Sequence, residues 1–280
     1  MRLSIKAFAE MKSAGNKIAM VTAYDFTSAK ILDAAGIPIM LVGDSLGNVI
    51  LGYESTIPVT LEDMIHHAKA VVKGSQTAHV VVDMPFLSYR TGNIDALRNS
   101  GRFLQEAGVQ SVKLEGGVEV SDTVRHIVNA GMPVMGHIGL TPQSLNKFGT
   151  YKVQGRSPKS AKRLIDDAVA LQEAGAYALV LELVPSKLAK IITDKLTIPT
   201  IGIGAGPNCD GQVLVFHDLV GLTDGFKHSR RYANLDHNIT SAVTQYIYDV
   251  QHGAFPSESE SFMVDESVIQ SVIKQVNSSS

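Results

Sequence analysis

Ile39-Met40-Leu41-Val42-Gly43-Asp44-Ser45-Leu46-Gly47 is the stretch whose reading decides the fold of this chain. Its apolar run reads as a short strand buried on both faces, the kind a parallel sheet uses. The run stops abruptly at a carboxylate, a hydroxyl and a glycine. The pattern recurs at Val80-Val81-Val82-Asp83, Ser111-Val112-Lys113-Leu114-Glu115, Val134-Met135-Gly136-His137 and Leu179-Val180-Leu181-Glu182. Five strands thus deliver an ionisable group at the same end, which points to one site rather than five coincidences.

Working outward, Lys17 to Ala23 reads as a first strand after a short N-terminal helix. Asp25 can cap the next helix and Gly36 can end it. After Asp44 a long Gly-rich loop is expected up to Pro58. Thr60-Leu61-Glu62-Asp63 resembles a capping box, and Leu61, Met64, Ile65, Ala68, Val71 and Val72 keep helical spacing until Gly74. Further helices are expected over Asn93 to Ala107, after a cap at Ser121, and from Ser157-Pro158 to Gly175. Loops carry Thr141-Pro142-Gln143-Ser144 and Tyr151 to Arg156. The last strands are placed at Ile198 to Ile203 and Gln212 to Phe216, and a terminal helix at Ile239 to His252. The Ser- and Glu-rich tail after Pro256 allows one more helix near Val268 to Val276, with Ser278 to Ser280 fraying.

Ala35-Gly36, Ala107-Gly108, Ala130-Gly131 and Ala174-Gly175 form a weak repeat, each closing a helix shortly before a strand. Eight strands alternating with helices over about 250 residues describe a (β/α)8 barrel. The competing architecture, an open doubly wound sheet, would gather its functional groups near one switch point. Charged groups at the ends of many strands favour the closed ring. Residues 1–256 are therefore expected to form a single barrel domain with a short N-terminal helix, and residues 257–280 a partly helical tail.

Composition narrows the function. The 280 residues are 45% hydrophobic and 19% charged with a net charge of -2, and carry no basic run. That argues against a nucleic-acid or anionic-membrane partner. No apolar run approaches the roughly 20 residues of a membrane span. The segment from Met1 to Gly15 lacks the apolar core of a signal peptide. The single cysteine, Cys209, excludes an intramolecular disulfide and a cysteine metal cage. A cytoplasmic protein is the simplest reading.

In a barrel the C-terminal strand ends ring one mouth. Asp44, Asp83 and Glu115 would end neighbouring strands, and three close carboxylates raise one another's pKa unless a positive charge sits between them. Mg2+, a hard cation that leaves positions for substrate oxygens, is the economical answer. The bland reading, in which each acid caps a helix or pairs with Lys or Arg, stands beside it. Lys113 shares a strand face with Glu115. It can neutralise a substrate carboxylate or enolate, form a Schiff base, or simply pair with Glu115. His137 can donate to a substrate oxygen, ligate the metal or be structural. Glu182, flanked by Leu181 and Leu183, lies across the ring as a candidate general base; its bland reading is a cap for the helix after Pro185. Gly202-Ile203-Gly204-Ala205-Gly206-Pro207 can cradle a phosphate, although a tight turn is the better reading. His66-His67 has no partner at metal spacing and reads as surface.

Several of these segments, in order, carry a resemblance. Val42-Gly43-Asp44-Ser45-Leu46-Gly47, Pro58-Val59-Thr60, Asp83-Met84-Pro85-Phe86, Val112 to Gly117, Gly136 to Gln143, Gly202 to Gly206 and Asp210-Gly211-Gln212 resemble the ketopantoate hydroxymethyltransferase family from about Met11 to Pro256. Asn48 departs from it, standing where a larger apolar residue, usually Met, is expected. The resemblance implies a Mg2+-dependent barrel of the phosphoenolpyruvate/pyruvate-binding type. It implies transfer of a one-carbon unit from 5,10-methylenetetrahydrofolate to 3-methyl-2-oxobutanoate, giving 2-dehydropantoate on the route to pantothenate and coenzyme A. It further implies that Asp44 and Asp83 bind Mg2+, with Glu115 completing the surroundings directly or through water. Ser45 and Lys113 would hold the oxo acid. Glu182 would be the base that generates a Mg-stabilised enolate. A homo-oligomer, often a decamer of two pentameric rings, is implied as well. A folate-free lyase of the same barrel group and a non-enzymatic binding barrel remain the alternatives at this level.

Overall fold

Eight parallel strands close on themselves in sequence order, β1 to β8, so the ring has no edge. The strands are β1 (Ile18–Thr22), β2 (Ile39–Val42), β3 (His79–Asp83), β4 (Ser111–Glu115), β5 (Val134–Gly139), β6 (Ala178–Glu182), β7 (Thr200–Ile203) and β8 (Gly211–Leu214). The helices are α1 (Ile5–Ser13), α2 (Phe26–Ala34), α3 (Leu46–Val49), α4 (Leu61–Gly74), α5 (Asn93–Arg102), α6 (Ser121–Asn129), α7 (Leu145–Phe148), α8 (Pro158–Glu173), α9 (Ser186–Lys195), α10 (Phe216–Val220), α11 (Leu235–Gln251) and α12 (Glu266–Ser278). This computed structural model describes residues 2–150 and 152–278. Tyr151 of the expected loop and Ser279 and Ser280 of the expected tail lie outside the described residues.

The local signals act as their chemistry requires. Asp25 caps α2 by accepting from the Ser28 amide, and Thr60 and Asp63 form a reciprocal capping box on α4. Ser157 and Ser160 do the same on α8, with Pro158 in its first turn. The four Ala-Gly pairs end helices because each glycine takes a positive φ, between +75° and +99°, where a Cβ would be strained.

Several boundaries differ from the sequence expectation. The loop after β2 contains the short helix α3, and Ser121 is the first residue of α6 rather than its cap, since a 3-10 turn at Val118–Val120 leads in. The helix from Asn93 ends as α at Arg102 and finishes as one π turn, Phe103–Ala107. β8 stops at Leu214: the Phe216 amide donates to the Thr22 hydroxyl (2.8 Å), which pulls the chain out of the ladder and into α10.

The chain divides into two compact units, one ending at Tyr232 and one beginning at Ala233, whereas the sequence reading carried the barrel domain to Pro256. The second unit holds α11 and α12, each longer than expected, and a Ser257–Glu260 capping box on a 3-10 turn. No helix among the described residues is long and apolar enough to cross a membrane.

Period-two alternation sorts each strand between two cores. Ile39, Leu41, Val81, Met135 and Val180 point inward and pack with Phe8 of α1; Met40, Val42, Val80, Val82, Leu179 and Leu181 pack outward under the helices. The same alternation places Asp83 one layer above Val81, His137 above Met135 and Glu182 above Val180. The barrel is thus apolar below and ionic at the top.

At the bottom, buried His79 lies 3.0 Å from the Leu3 carbonyl through Nδ1 and 2.8 Å from Ser111 Oγ through Nε2, beside Tyr177 and the Phe8 ring. Burial, which outweighs the Leu3 carbonyl, lowers its pKa to about 4, so the folded protein holds it neutral. The unfolded chain then binds the extra proton, and stability falls as pH drops from about 6.5 towards 4, by roughly 3 kcal/mol in all. Urea titrations across that range should show this acid slope in the parent and a shallower one in His79→Gln. Equal slopes would refute it.

Candidate active site

The β2 motif builds one wall. A Cβ on Gly43 would sit 2.8 Å from Ser45 Oγ, so any side chain there would displace that hydroxyl. The bare backbone lets the Asp44 amide donate to Asp83 Oδ2 at 3.1 Å. Ser45 precedes α3 but does not cap it; its hydroxyl pairs instead with Tyr24 OH at 2.8 Å and lines the cavity.

Sheet register supplies the rest. Asp83 pairs with Lys113 across β3 and β4, Glu115 with His137 across β4 and β5, and Gly139 with Glu182 across β5 and β6. Lys113 Nζ lies 2.6 Å from Asp83 Oδ1 and 3.3 Å from His137 Nδ1. His137 lies between two carboxylates, Nδ1 at 3.5 Å from Glu115 Oε1 and Nε2 at 3.2 Å from Glu182 Oε2. Asp44, Ser45, Asp83, Lys113, Glu115, His137 and Glu182 therefore line one cavity of about 980 Å³, counted out to its open mouth. The sequence reading expected all seven at the strand ends, and the barrel brings them together.

The fold also settles several open readings. Lys113 pairs with Asp83 on the neighbouring strand, and Glu115 takes His137 instead. Glu182 does not cap α9, whose N-terminus has no side-chain cap. Leu183 adopts φ +47°, a left-handed conformation that turns the chain sharply after Glu182 and is sparsely populated for a branched residue. The Glu182 carbonyl accepts from Leu140 N (2.8 Å), and a Cβ on Gly139 would sit 2.1 Å from that carbonyl oxygen. The Gly204 and Gly206 backbone packs on Leu183 and Ser186 and leads directly into β8, as a turn does. His66 is exposed, while His67 is half-buried with Nδ1 2.6 Å from the Tyr24 carbonyl. Asn48 lines the cavity and donates to the Tyr53 carbonyl.

Sequence reasoning gave no role to Gln143, the clamp of the site. Its side-chain amide donates to Asp44 Oδ2 (2.8 Å) and the Met84 carbonyl (2.9 Å), and its backbone amide donates to Glu115 Oε2 (3.1 Å). Tyr89 OH donates to Gln143 Oε1 at 2.8 Å. Thr141-Pro142-Gln143 was visible as a loop, but a partner 99 residues away leaves no local trace.

Electrostatics follow from this crowding. Burial, then repulsion by Asp83 and Glu115, drives the Asp44 carboxyl well above the usual carboxylate range. Burial pulls the Lys113 ammonium down, but Asp83, Glu115 and Asp44 more than offset it and leave its pKa raised. Burial and Lys113 also oppose protonation of His137, yet Glu115 and Glu182 carry it up to about 9, so it is an imidazolium at neutral pH.

The donor set suits a hard divalent cation. Asp83 Oδ1 and His137 Nε2 are buried without a well-directed hydrogen bond, despite the nearby ammonium and carboxylate. Among the described residues no group of three or more His, Cys, Asp or Glu is arranged to hold a metal ion. Mg2+ needs only one or two protein carboxylates, with water and substrate filling its octahedron. Asp44 and Asp83, side by side at the ends of β2 and β3, fit that smaller demand.

A stability consequence arises here. The folded pKa of Asp44 is raised, so its ionisation costs stability as pH climbs through that value. Asp44→Asn, which keeps an acceptor for Gln143, should stabilise the protein by about 1–2 kcal/mol at pH 8 in the absence of divalent cations. Thermal melts should show the gain shrinking in acid; a destabilised variant at pH 8 would contradict this.

Comparison with known proteins shows the family. Residues 2–258 match the family Ketopantoate hydroxymethyltransferase. The chain is 56% identical over 278 residues to a 3-methyl-2-oxobutanoate hydroxymethyltransferase of Dehalococcoides mccartyi strain CBDB1, across 99% of this chain and 100% of that one. It is 54% identical over 273 residues to its namesake in Carboxydothermus hydrogenoformans, across 97% and 99%. Among solved structures it is similar to 2,3-dimethylmalate lyase, a PEP mutase/isocitrate lyase superfamily member (TM-score 0.57, 16% identity, 99% and 100% coverage). Phosphonopyruvate hydrolase in complex with oxalate and Mg++ is also similar (TM-score 0.57, 11% identity, 98% and 96% coverage). At these identities the two structures share the fold alone. The sequence matches run nearly end to end, and on their strength the chain belongs to the ketopantoate hydroxymethyltransferase family.

Proposed function

We propose that this protein transfers a hydroxymethyl group from 5,10-methylenetetrahydrofolate to 3-methyl-2-oxobutanoate, giving 2-dehydropantoate. The observation that carries the reading is the division of the cavity. Buried Asp44, Asp83 and Lys113 lie on one side, and Glu182, with its side chain 16% exposed, stands on the other, joined to them through His137.

A planar oxo acid bound between these groups would place its carboxylate and keto oxygens against Lys113 and Ser45. Its C3 hydrogen would then face Glu182. Asp44 and Asp83 would hold Mg2+, with Glu115 completing its surroundings. When bound, the cation supplies Lewis-acid polarisation of the keto group. Glu182 Oε2 takes the C3 proton, and the His137 imidazolium holds that carboxylate in position. Lys113, itself buried, stabilises the negative charge that develops on the keto oxygen, away from bulk solvent where such an interaction is strong. The carbanion attacks the one-carbon unit of the folate; water is consumed and tetrahydrofolate departs. The chain acts as a homo-oligomer in this reading, as the resemblance implies.

The test is deuterium exchange at C3 of 3-methyl-2-oxobutanoate by NMR, with and without Mg2+, followed by tetrahydrofolate and formaldehyde. Metal-dependent exchange and then 2-dehydropantoate formation support the assignment. Exchange without product moves it to a folate-free relative, and no exchange by folded protein removes it.

A further inference from the structure

Each of the three acids at the mouth accepts an amide N–H on one carboxylate oxygen. The Asp44 amide donates to Asp83 Oδ2 (3.1 Å), the Gln143 amide to Glu115 Oε2 (3.1 Å), and the Gln143 side chain to Asp44 Oδ2 (2.8 Å). The second oxygens differ. Asp83 Oδ1 and Glu115 Oε1 face Lys113 and His137, whereas Asp44 Oδ1 accepts no hydrogen bond among the described residues. Asp44 lines the cavity, so Oδ1 is its oxygen left for a ligand.

Gln143 is fixed on all sides. Its two amide hydrogens go to Asp44 and to the Met84 carbonyl, and its Oε1 accepts from Tyr89 OH at 2.8 Å. A flipped amide would set its oxygen against a carboxylate and a carbonyl, which selects one orientation. The backbone beneath is held as well. Pro142 begins a 3-10 turn, the Ser144 amide donates to the Thr141 carbonyl (2.8 Å), and Leu140 donates to the Glu182 carbonyl (2.8 Å). Gln143 is buried, and no hydrogen-bonding group of its side chain is left over. Asp44 Oδ2 therefore stays with Gln143.

The number of oxygens a carboxylate offers separates two common hard cations. Mg2+ demands a near-ideal octahedron at about 2.0–2.1 Å, which the narrow bite of a two-oxygen carboxylate distorts. Ca2+ tolerates irregular shells at about 2.3–2.6 Å and takes both oxygens of one carboxylate readily. Resting on the Mg2+ site in the proposed function, we propose that Gln143 is a positioning residue that restricts Asp44 to one-oxygen ligation and thereby sets the preference of the site for Mg2+ over Ca2+. The side chain acts through Asp44 and needs no contact with the cation or the oxo acid.

The experiment follows Mn2+ binding to the full chain by the loss of its free EPR signal, then displaces it with Mg2+ or Ca2+. Gln143→Met keeps the length of the side chain and removes its donors. It should weaken Mg2+ by roughly 10- to 100-fold, the usual effect of losing a partner to a ligating side chain, and Ca2+ by less than about 3-fold. A loosened mouth would instead lose both cations alike. Tyr89→Phe keeps Gln143 and removes only the hydroxyl against its Oε1. It should shift the same Mg2+/Ca2+ ratio in the same direction by roughly 2- to 5-fold, and it carries the test where Gln143→Met does not fold. An unchanged ratio in Gln143→Met, or in Tyr89→Phe where the first variant does not fold, would overturn the role given to Gln143, as would equal losses of both cations. Failure of the parent protein to bind Mn2+ or Mg2+ would overturn the Mg2+ site on which the proposal rests.

Discussion

Glu182→Gln will bind 3-methyl-2-oxobutanoate with near-parental affinity and lose C3 proton exchange by about 10²- to 10⁴-fold, the usual contribution of a positioned general base. The substitution is isosteric, and an amide oxygen can still accept from His137, so the wall of the cavity keeps its shape. What disappears is the proton acceptor. A second readout follows from the electrostatics: Glu182 is one of two carboxylates that raise His137 to about 9, so the imidazole should titrate lower in the variant. Calorimetric binding, deuterium exchange and a histidine NMR titration together separate a missing base from a collapsed site. Exchange at the parental rate would remove Glu182 from the chemistry.

Lys113→Met should have the largest effect on stability. The ammonium is buried, 2.6 Å from Asp83 Oδ1, and offsets repulsion among Asp44, Asp83 and Glu115. Removing one member of a buried charged pair typically costs about 3–5 kcal/mol, because its partner stays buried and uncompensated. The sign of the pH dependence is set by the acids left behind. A carboxyl whose folded pKa is raised contributes stability at low pH and loses it as pH rises through that value. The deficit against the parent should therefore be greatest near pH 8 and shrink towards pH 5, and millimolar Mg2+ should recover part of it. Turnover should fall by about 10²-fold or more, as when one donor to a developing oxyanion is lost. A deficit that is flat with pH in chemical denaturation would show that Lys113 does not balance these carboxylates.

The sequence by itself determined the architecture and the acids. Strands buried on both faces write their hydrophobic runs locally, and Asp25, Thr60 and Ser157 write helix starts through hydrogen bonds to amides three residues on. Once eight such strands are granted, period-two alternation places Asp83, His137 and Glu182 at one mouth. Only the tertiary structure decided who pairs with whom. Lys113 meets Asp83 rather than Glu115 because register aligns residues across strands, and residues two apart on one strand stand in successive layers. Gln143 reaches Asp44 from 99 positions away, and Phe226, beyond β8, lines the same cavity. Barrel closure creates these contacts between distant segments, and no periodicity or capping signal within either segment encodes the distance between them.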